Sequence, residues 1–391
     1  MLIFTMLRCR ALLLALAATP LTLGTAAAQI VVSANDSKVR LVDGVTTVVP
    51  NPPPDTITVI DLGVSPPRIL GEIPVPTSVV GPPESVAIAR DESFALVTAA
   101  TKLDPADSTK TVPDNTLTVV DLKASPARVL QTLQAGQGAS AVSINPAGTL
   151  ALVANRLEGT VSVFTISGNV LKAAGKVDLG APDSGPCGVA FTRDGRTALV
   201  TRNNDSLISL LAVDGTSVTY SKRDLAAGLK PYSIQVSPAG NVAVAAHIGA
   251  GATGGADVIS IIDLGLDPPR AVDHIAVGPI AEGIAISTDG SHVAVTVMDG
   301  TNAPASSPFF NPAGRVRVFR IAGRKLAPVA EAPVGRWCQG VVWSRDDRTL
   351  LVQCMVEGEI QVFGFDGRRL TAAAPLKVSG GPAGIRVADP R

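Results

Sequence analysis

A hairpin pattern that recurs along the chain is the feature that most limits its fold. In its clearest copy, residues 188–200, a small residue leads into an alternating apolar strand, an Asp-Gly turn follows, and a second alternating strand returns. This pattern is typical of a β-hairpin with one buried face. The small residues that open the copies, at steps of 44 to 57 residues, are Ser85, Ala141, Gly188, Ser233, Gly283, Gly340 and Gly384.

Further apolar segments follow each hairpin. A third strand is predicted after every hairpin, for example at residues 116–121 and 160–165, and a fourth, weaker one precedes the next opening residue. Four strands per repeat at this period are typical of propeller blades. The last repeat has only residues 385–388, whereas residues 30–34 match a second strand without a first. The sequence therefore predicts an all-β fold, a seven-bladed β-propeller of four-stranded blades, whose ring is closed by the C-terminal strand joining the N-terminal blade.

The first 28 residues do not fit the repeat and have the pattern of a signal peptide. Arg8 and Arg10 form a positive region, residues 11–23 are apolar, and Ala26 to Ala28 offer a cleavage site. A membrane anchor is the alternative, but the apolar run is shorter than the roughly 20 residues that a span needs. We expect a signal peptide at 1–28, a propeller at 29–391, no membrane span after cleavage, and a periplasmic or secreted product.

Charge and cysteine content narrow the partners and suggest one cross-link. The chain has 33 basic and 33 acidic residues, so no overall field attracts nucleic acid. Once residues 1–28 are removed, three cysteines remain, Cys187, Cys338 and Cys354. Cys338 lies nearly opposite Cys354 across the last full hairpin, within reach of a disulfide that export would permit. Two buried thiols are the alternative.

The loops into the inner strands and those between the second and third strands should emerge on one face, called here the mouth face. Functional residues are expected around this central mouth, because loops on a rigid scaffold carry most binding sites. The polar residues there differ from blade to blade, unlike the strand positions, which indicates a site for a small molecule or a protein partner. The expected substrate-binding residues are Arg156, Arg202, Arg336, Asn203, Tyr232, Trp337 and Gln339.

Particular chemistries are assigned to some of these positions. His247, with Glu282 in the next blade, is the candidate catalytic pair, because a histidine can act as a general base near neutral pH. A hydrogen-bonded rim histidine is the alternative. Glu84, Asn155 and Asp299 supply oxygen ligands of the kind that Ca²⁺ takes, although no acidic spacing motif accompanies them. No other cofactor is expected.

Two stretches resemble the repeats of YVTN-type propellers: residues 155–164, Asn-Arg-Leu-Glu-Gly-Thr-Val-Ser-Val-Phe, and residues 115–121 with 129–133. The hairpins with Ser-Pro-Ala-Gly or Thr-Arg-Asp-Gly turns also resemble the seven-bladed lactonase group, which includes 6-phosphogluconolactonase and carboxymuconate cyclase. The resemblance implies a pocket of histidine, glutamate and arginine, matched here by His247, Glu282, Arg202 and Arg336. The histidine-rich segment frequent in that group is absent, and Tyr232 and Cys187 stand at such places.

Two functions remain at this stage. The first is an exported lactonase-like hydrolase, in which Arg202 or Arg336 holds the substrate and His247 or Glu282 activates water. The second is a non-catalytic YVTN-type propeller that binds a protein or small ligand at the same face. The two functions predict different results for His247→Ala and Glu282→Gln. For a hydrolase, these substitutions should abolish turnover. For a non-catalytic propeller, the wild type has no turnover to lose.

Overall fold

The computed structural model of the protein describes residues 29–390 and shows a ring of seven four-stranded antiparallel sheets. The prediction of a seven-bladed propeller is confirmed, and the predicted signal peptide lies outside the described residues. Blade one contains β1 (Ile30–Asp36), β4 (Thr56–Asp61), β5 (Arg68–Pro74) and β30 (Gly381–Val387), with an added hairpin of β2 (Val39–Val42) and β3 (Val45–Val48).

The other blades are continuous in sequence. Blade two contains β6 (Val86–Ile88), β7 (Phe94–Asp104), β8 (Asp107–Asp121) and β9 (Arg128–Gln134). Blade three contains β10 (Ala139–Ile144), β11 (Leu150–Asn155), β12 (Thr160–Ser167) and β13 (Val170–Asp178). Blade four contains β14 (Pro186–Phe191), β15 (Thr197–Arg202), β16 (Leu207–Asp214) and β17 (Ser217–Leu225), after a 3-10 turn at Pro182–Ser184.

The remaining three blades repeat this order. Blade five contains β18 (Pro231–Val236), β19 (Val242–His247), β20 (Asp257–Asp263) and β21 (Arg270–Gly278). Blade six contains β22 (Ala281–Ile286), β23 (His292–Val297), β24 (Gly314–Ala322) and β25 (Lys325–Val334). Blade seven contains β26 (Cys338–Trp343), β27 (Thr349–Cys354), β28 (Glu359–Phe365) and β29 (Leu370–Lys377). Within residues 29–390, no helix has the length and apolarity that crossing a membrane requires.

The core lies between blades, which explains why the second strands are apolar on both sides. In β11, Ala151 and Val153 pack towards blade two, whereas Leu150 and Leu152 pack towards blade four. Successive side chains of a strand point to opposite faces, and here both faces are covered by a neighbouring blade. Burying a leucine such as Leu152 completely is worth about 2 kcal/mol. In the outer strands, in contrast, most side chains are exposed or half-buried.

Ring closure follows the predicted route. Strand β30 pairs antiparallel with β1, with Ser33 opposite Ile385 and Val31 opposite Val387. Gln353 of blade seven supports this joint, because its amide donates hydrogen bonds to Ser33 Oγ at 2.7 Å and to the Gly384 carbonyl at 3.0 Å. The closing strand is therefore bonded both to the first blade and to the last.

The small opening residues are explained by the close approach of the inner strands. A Cβ atom on Gly188 would lie 2.4 Å from the Tyr232 carbonyl oxygen of the next blade. A Cβ on Gly283 would lie 2.5 Å from the Gln339 carbonyl oxygen. These positions repeat in the sequence because no larger side chain fits where one blade meets the next.

Residues 102–115 are an insertion between the second and third strands of blade two. Strands β7 and β8 continue through this segment, and Lys102 pairs with Val112. The insertion is therefore an extension of the hairpin beyond the sheet rather than an irregular loop.

Candidate functional site

A bulge in the inner strands directs polar side chains into the central channel. In five blades the register between the first and second strands skips two residues, for example from Ala281 to Ile284 in blade six. A bulge of this kind re-aims the side chains of the bulged strand. The first residues of the skipped pairs are Ser140, Cys187, Tyr232, Glu282 and Gln339, and all are buried.

Three of the predicted site residues, Asn203, Tyr232 and Glu282, lie around Arg156, with Cys187 beside them. Arg156 follows strand β11, and its Nη2 donates a hydrogen bond to Asn203 Oδ1 at 3.2 Å. Its guanidinium lies 5.8 Å from the centre of the Tyr232 ring. Cys187 and Glu282 lie near enough to act electrostatically on the same guanidinium. The structure thus brings Arg156, Asn203, Tyr232 and Glu282 together, and with Cys187 they form what we call the Arg156 cluster.

Two polar atoms in this cluster have no hydrogen-bond partner. Arg156 Nη1 and Glu282 Oε2 are both buried and unpaired. The two side chains form no ion pair within 4.0 Å, but Arg156 lies close enough to act electrostatically on the Glu282 carboxylate. Buried polar groups are normally paired, so such exceptions are typical of sites that act on a ligand.

Burial also shifts the titration of the cluster. Desolvation raises the pKa of Glu282 to about 8, because the nearby Arg156 only partly offsets it. Burial raises the pKa of the Cys187 thiol as well, and raises that of Tyr232 well above its ordinary value. Around neutral pH, Tyr232 and Cys187 are therefore protonated, and Glu282 is the group that titrates.

The centre of the channel is filled by the chain itself. Residues 79–84, Val-Val-Gly-Pro-Pro-Glu, connect blade one to blade two, and we call this segment the plug. The backbone of Gly81 faces the Tyr232 hydroxyl of blade five. Pro83 lies against Gly283 of blade six and Gly340 of blade seven, and its carbonyl accepts a hydrogen bond from Ile385 N.

Glu84, the last residue of the plug, crosses the channel. Its Oε1 accepts a hydrogen bond from Ile234 N of blade five at 3.0 Å and lies 3.5 Å from Arg386 Nη2 of blade one. Its other oxygen, Oε2, is buried and unpaired beside Gly188 of blade four. Desolvation raises the pKa of Glu84 to about 7 in spite of Arg386. The plug therefore joins several blades at one point and separates the mouth face from the opposite face.

His247 lies elsewhere. It ends strand β19 and is buried inside blade five, where its Nε2 is 2.8 Å from Ser260 Oγ, which in turn lies 2.9 Å from His274 Nδ1. Burial, assisted by His274, lowers the pKa of His247 to about 4, so this side chain is neutral at pH 7. The structure does not bring His247 and Glu282 into one hydrogen-bonded pair.

The other predicted binding residues also form their contacts outside the Arg156 cluster. Arg202 pairs with Asp205 and lies 3.5 Å from Asp224 within blade four. Arg336 is half exposed at the rim, with its Nε 3.2 Å from Glu357 Oε1. Trp337 is buried in an apolar group with Val79, Ile280, Met298, Met355 and Ala383. Gln339 keeps its place in the channel wall, where its carbonyl accepts a hydrogen bond from Thr296.

The three predicted metal ligands are each held by other groups of the protein. Asn155 binds Gly136 N, Thr160 and Ser162, and Asp299 Oδ2 is 2.6 Å from Arg315 Nε. Glu84 is held by Ile234 and Arg386. Within residues 29–390, no group of three or more His, Cys, Asp or Glu side chains is placed to hold a metal ion.

Cys338 and Cys354 form a disulfide in the structure. They are opposite each other in the β26–β27 pairing, the arrangement expected from the sequence. Cys187 is a buried free thiol, 3.3 Å from Thr201 Oγ1.

One feature was not anticipated from the sequence. The turns between first and second strands lie on the side opposite the mouth face, called here the hairpin face. A cavity of about 800 Å³ opens on it, lined among others by Arg386, Trp343 and Gln235. Arg386 reaches from its floor to Glu84 of the plug. The sequence signal for it was the charge of Arg90, Arg193 and Arg345 at the hairpin turns of blades two, four and seven.

With this geometry in place, comparison with known proteins supports the lactonase-like character of the propeller. Residues 103–252 match the model of a family described as lactonase, 7-bladed beta-propeller. The match runs from β7 of blade two to the loop after β19 of blade five, so it covers part of the ring. The search of curated proteins finds no match. The resemblance to seven-bladed lactonase propellers is confirmed over this stretch.

Solved structures share the whole fold at low identity. A candidate 6-phosphogluconolactonase from Bacteroides uniformis is 16% identical, with a TM-score of 0.70 over 92% of this chain and 99% of that chain. A periplasmic gluconolactonase from Pseudomonas aeruginosa is 15% identical, with a TM-score of 0.67 over 93% and 100%. Hydrazine synthase from Kuenenia stuttgartiensis is 17% identical, with a TM-score of 0.62 over 79% and 90%. These likenesses show the fold, which hosts more than one activity.

Proposed function

We propose that the protein is an exported hydrolase of the lactonase kind, acting on a lactone or ester at the Arg156 cluster. The observation that carries the proposal is the pair of unpartnered buried atoms, Arg156 Nη1 and Glu282 Oε2, whose side chains lie close enough to interact electrostatically. The family match over residues 103–252 and the gluconolactonase named among the similar structures support the reaction class.

The chemistry assigns one role to each group. Glu282, as a carboxylate, takes a proton from water while the water oxygen attacks the ester carbon. The carbonyl electrons move to oxygen, and Arg156 Nη1 stabilises this oxyanion by donating a hydrogen bond. When the tetrahedral intermediate collapses, the ring oxygen leaves and takes the proton from Glu282. The product is the hydroxy acid. Tyr232 and Asn203 hold Arg156 in place.

The mechanism requires ionised Glu282, which sets the pH dependence. Because its pKa is about 8, the carboxylate fraction rises with pH up to that value and then levels off. We expect kcat/KM to rise about tenfold per pH unit below pH 8 and to be flat above it. A neutral His247 acting as the base would instead give a limb near pH 4.

The test is a turnover assay of the chain from Gln29 onward against sugar and aliphatic lactones and simple esters. Glu282→Gln and Arg156→Met should each lower kcat/KM by about 10²–10³ while keeping a cooperative thermal transition. Arg336→Ala, at the rim, is the matched charge control and should retain activity. Ca²⁺ and a chelator should not change the rate.

Other outcomes would reject parts of the proposal. If His247→Asn abolishes turnover and Glu282→Gln does not, the base is wrongly assigned. If no member of the panel is hydrolysed, the hydrolase proposal fails, and the non-catalytic propeller that binds a protein or small ligand at this face becomes the better description.

Export is proposed on three grounds: the pattern of residues 1–28, the Cys338–Cys354 disulfide, and the periplasmic location stated for the Pseudomonas aeruginosa protein. Disulfides persist in oxidising compartments such as the periplasm. Mass spectrometry of the protein from a periplasmic or secreted fraction should give Gln29 as its first residue. An intact Met1 in a reducing compartment would contradict export.

A further inference from the structure

We propose that the hairpin-face cavity is a second binding site, which takes a small organic anion with an apolar body. This site is separate from the Arg156 cluster, because none of the five cluster residues lines the cavity. Its volume of about 800 Å³ is within the range of cavities that bind small molecules. The proposal does not depend on the proposed hydrolase activity.

The apolar part of the site is its wall. The inner strands contribute Ile144, Phe191, Ile234, Val342 and Trp343. Trp343 is fixed there, because its indole Nε1 donates a hydrogen bond to the Ala285 carbonyl at 2.9 Å. An apolar ligand body would gain from contact with a wall that is already rigid.

The charged part of the site has an excess of cations. Five basic residues line the cavity, Arg90, Lys123, Arg193, Arg345 and Arg386, against the three carboxylates Asp91, Glu92 and Asp389. The formal excess of two positive charges contrasts with a chain whose 33 basic and 33 acidic residues balance. Positive charge at the mouth of a low-dielectric cavity attracts and retains anions.

Several of these cations are not neutralised by a carboxylate. Arg345 pairs with Glu92, and Arg386 with Glu84. Lys123 Nζ instead donates to the Asp91 carbonyl, and Arg193 Nη2 to the Pro390 carbonyl. Among residues 29–390, Arg90 takes part in no ion pair. A bound carboxylate, sulfonate or phosphate would accept charge-assisted hydrogen bonds from these side chains.

The probe for the test is 8-anilinonaphthalene-1-sulfonate, an apolar anion that fluoresces when bound. We expect saturable binding to the folded chain, with energy transfer from Trp343. Trp343→Phe should reduce both the transfer and the binding, because the indole is an energy donor and forms part of the apolar wall. The double variant Arg90→Gln, Lys123→Gln should weaken binding about tenfold, whereas Arg368→Gln, an exposed arginine outside the cavity lining, should not.

Competition distinguishes the anion from the apolar body. Alkyl carboxylates should displace the probe at lower concentration than alcohols of the same chain length. Equal displacement by both would show an apolar pocket without anion preference and reject the proposal, as would equal affinities of the double variant and the control. Glu282→Gln should bind the probe unchanged, so failure of the hydrolase proposal and failure of this one are separable.

Discussion

Glu84 and Glu282 are the buried acids of the channel, with pKa values of about 7 and about 8. Each has a higher pKa in the folded chain than in the unfolded one, so between these values the folded state binds more protons. The stability that each contributes is therefore fully present below pH 4.5 and is lost as the pH rises through its folded pKa.

Replacing Glu84 should remove part of the pH dependence of stability. We expect the thermal midpoint of the wild type to fall between pH 5 and pH 8 and that of Glu84→Gln to fall less, because the amide stays neutral and can still accept from Ile234 N. Thermal unfolding at four pH values measures both slopes. Glu357→Gln, a surface carboxylate paired with Arg336, is the control and should keep the wild-type slope. Identical slopes for Glu84→Gln and the wild type would contradict the prediction.

The structure brings some of the predicted site residues together and leaves others apart, and the reason is a difference of one position along a strand. Asn155, Arg202 and His247 each end a second strand, and their side chains bond to the third strand of their own blade. Arg156 and Asn203, one residue later, face the mouth. Since successive side chains of a strand point to opposite faces, an error of one residue in the predicted end of a strand assigns the side chain to the wrong face. The sequence repeat placed Tyr232 and Glu282 at the channel, because the bulge recurs beside each opening residue.

The plug is the element that local sequence patterns could not place. Gly81-Pro82-Pro83 indicates a stiff turn, but nothing local says that it enters the channel. Its position depends on contacts distant in sequence, such as Ile234 with Glu84, 150 residues apart. The strands, in contrast, are set by neighbours within one repeat, and for this reason their positions were predicted closely.

Gly81 offers a direct test of the plug. It has a φ of +114°, and a Cβ there would lie 2.1 Å from Ser140 Oγ. We expect Gly81→Ala to cost about 2–4 kcal/mol of unfolding free energy, because both backbone strain and a clash oppose it. Gly148→Ala is the matched control: its φ is +69° with no atom within 4 Å, so it should cost about 1–2 kcal/mol.

Chemical denaturation with a common slope gives both free energies. The double variant Gly81→Ala, Ser140→Gly should recover part of the loss, because it removes the clashing hydroxyl. Equal costs for Gly81→Ala and Gly148→Ala would show that the plug is not tightly packed against blade three.

At the scale of the whole molecule, the ring is a chain of similar interfaces with one special joint. Six of the seven blades have their four strands consecutive in sequence, and blade one alone combines β30 with strands from the other end. The repeat predicted this arrangement because the two incomplete units complement each other. The repeat carried no information about the two ends of the channel, since the plug and the cavity charges break the sevenfold pattern.

Removing the closing strand should therefore unfold or aggregate the protein rather than leave a six-bladed remainder. A chain ending at residue 380 loses the pairing of β30 with β1, the hydrogen bond from Gln353 to the Gly384 carbonyl and the Arg386 partner of Glu84. It also exposes β1, whose seven residues are all buried, as an apolar sheet edge.

A chain ending at residue 388 keeps all of β30 and is the matched control. Size-exclusion chromatography and thermal unfolding should show aggregates or no cooperative transition for the first chain and a near-wild-type monomer peak and midpoint for the second. If the chain ending at 380 elutes and melts like the control, closure by β30 does not hold the ring together, and the stability must come from the contacts between blades alone.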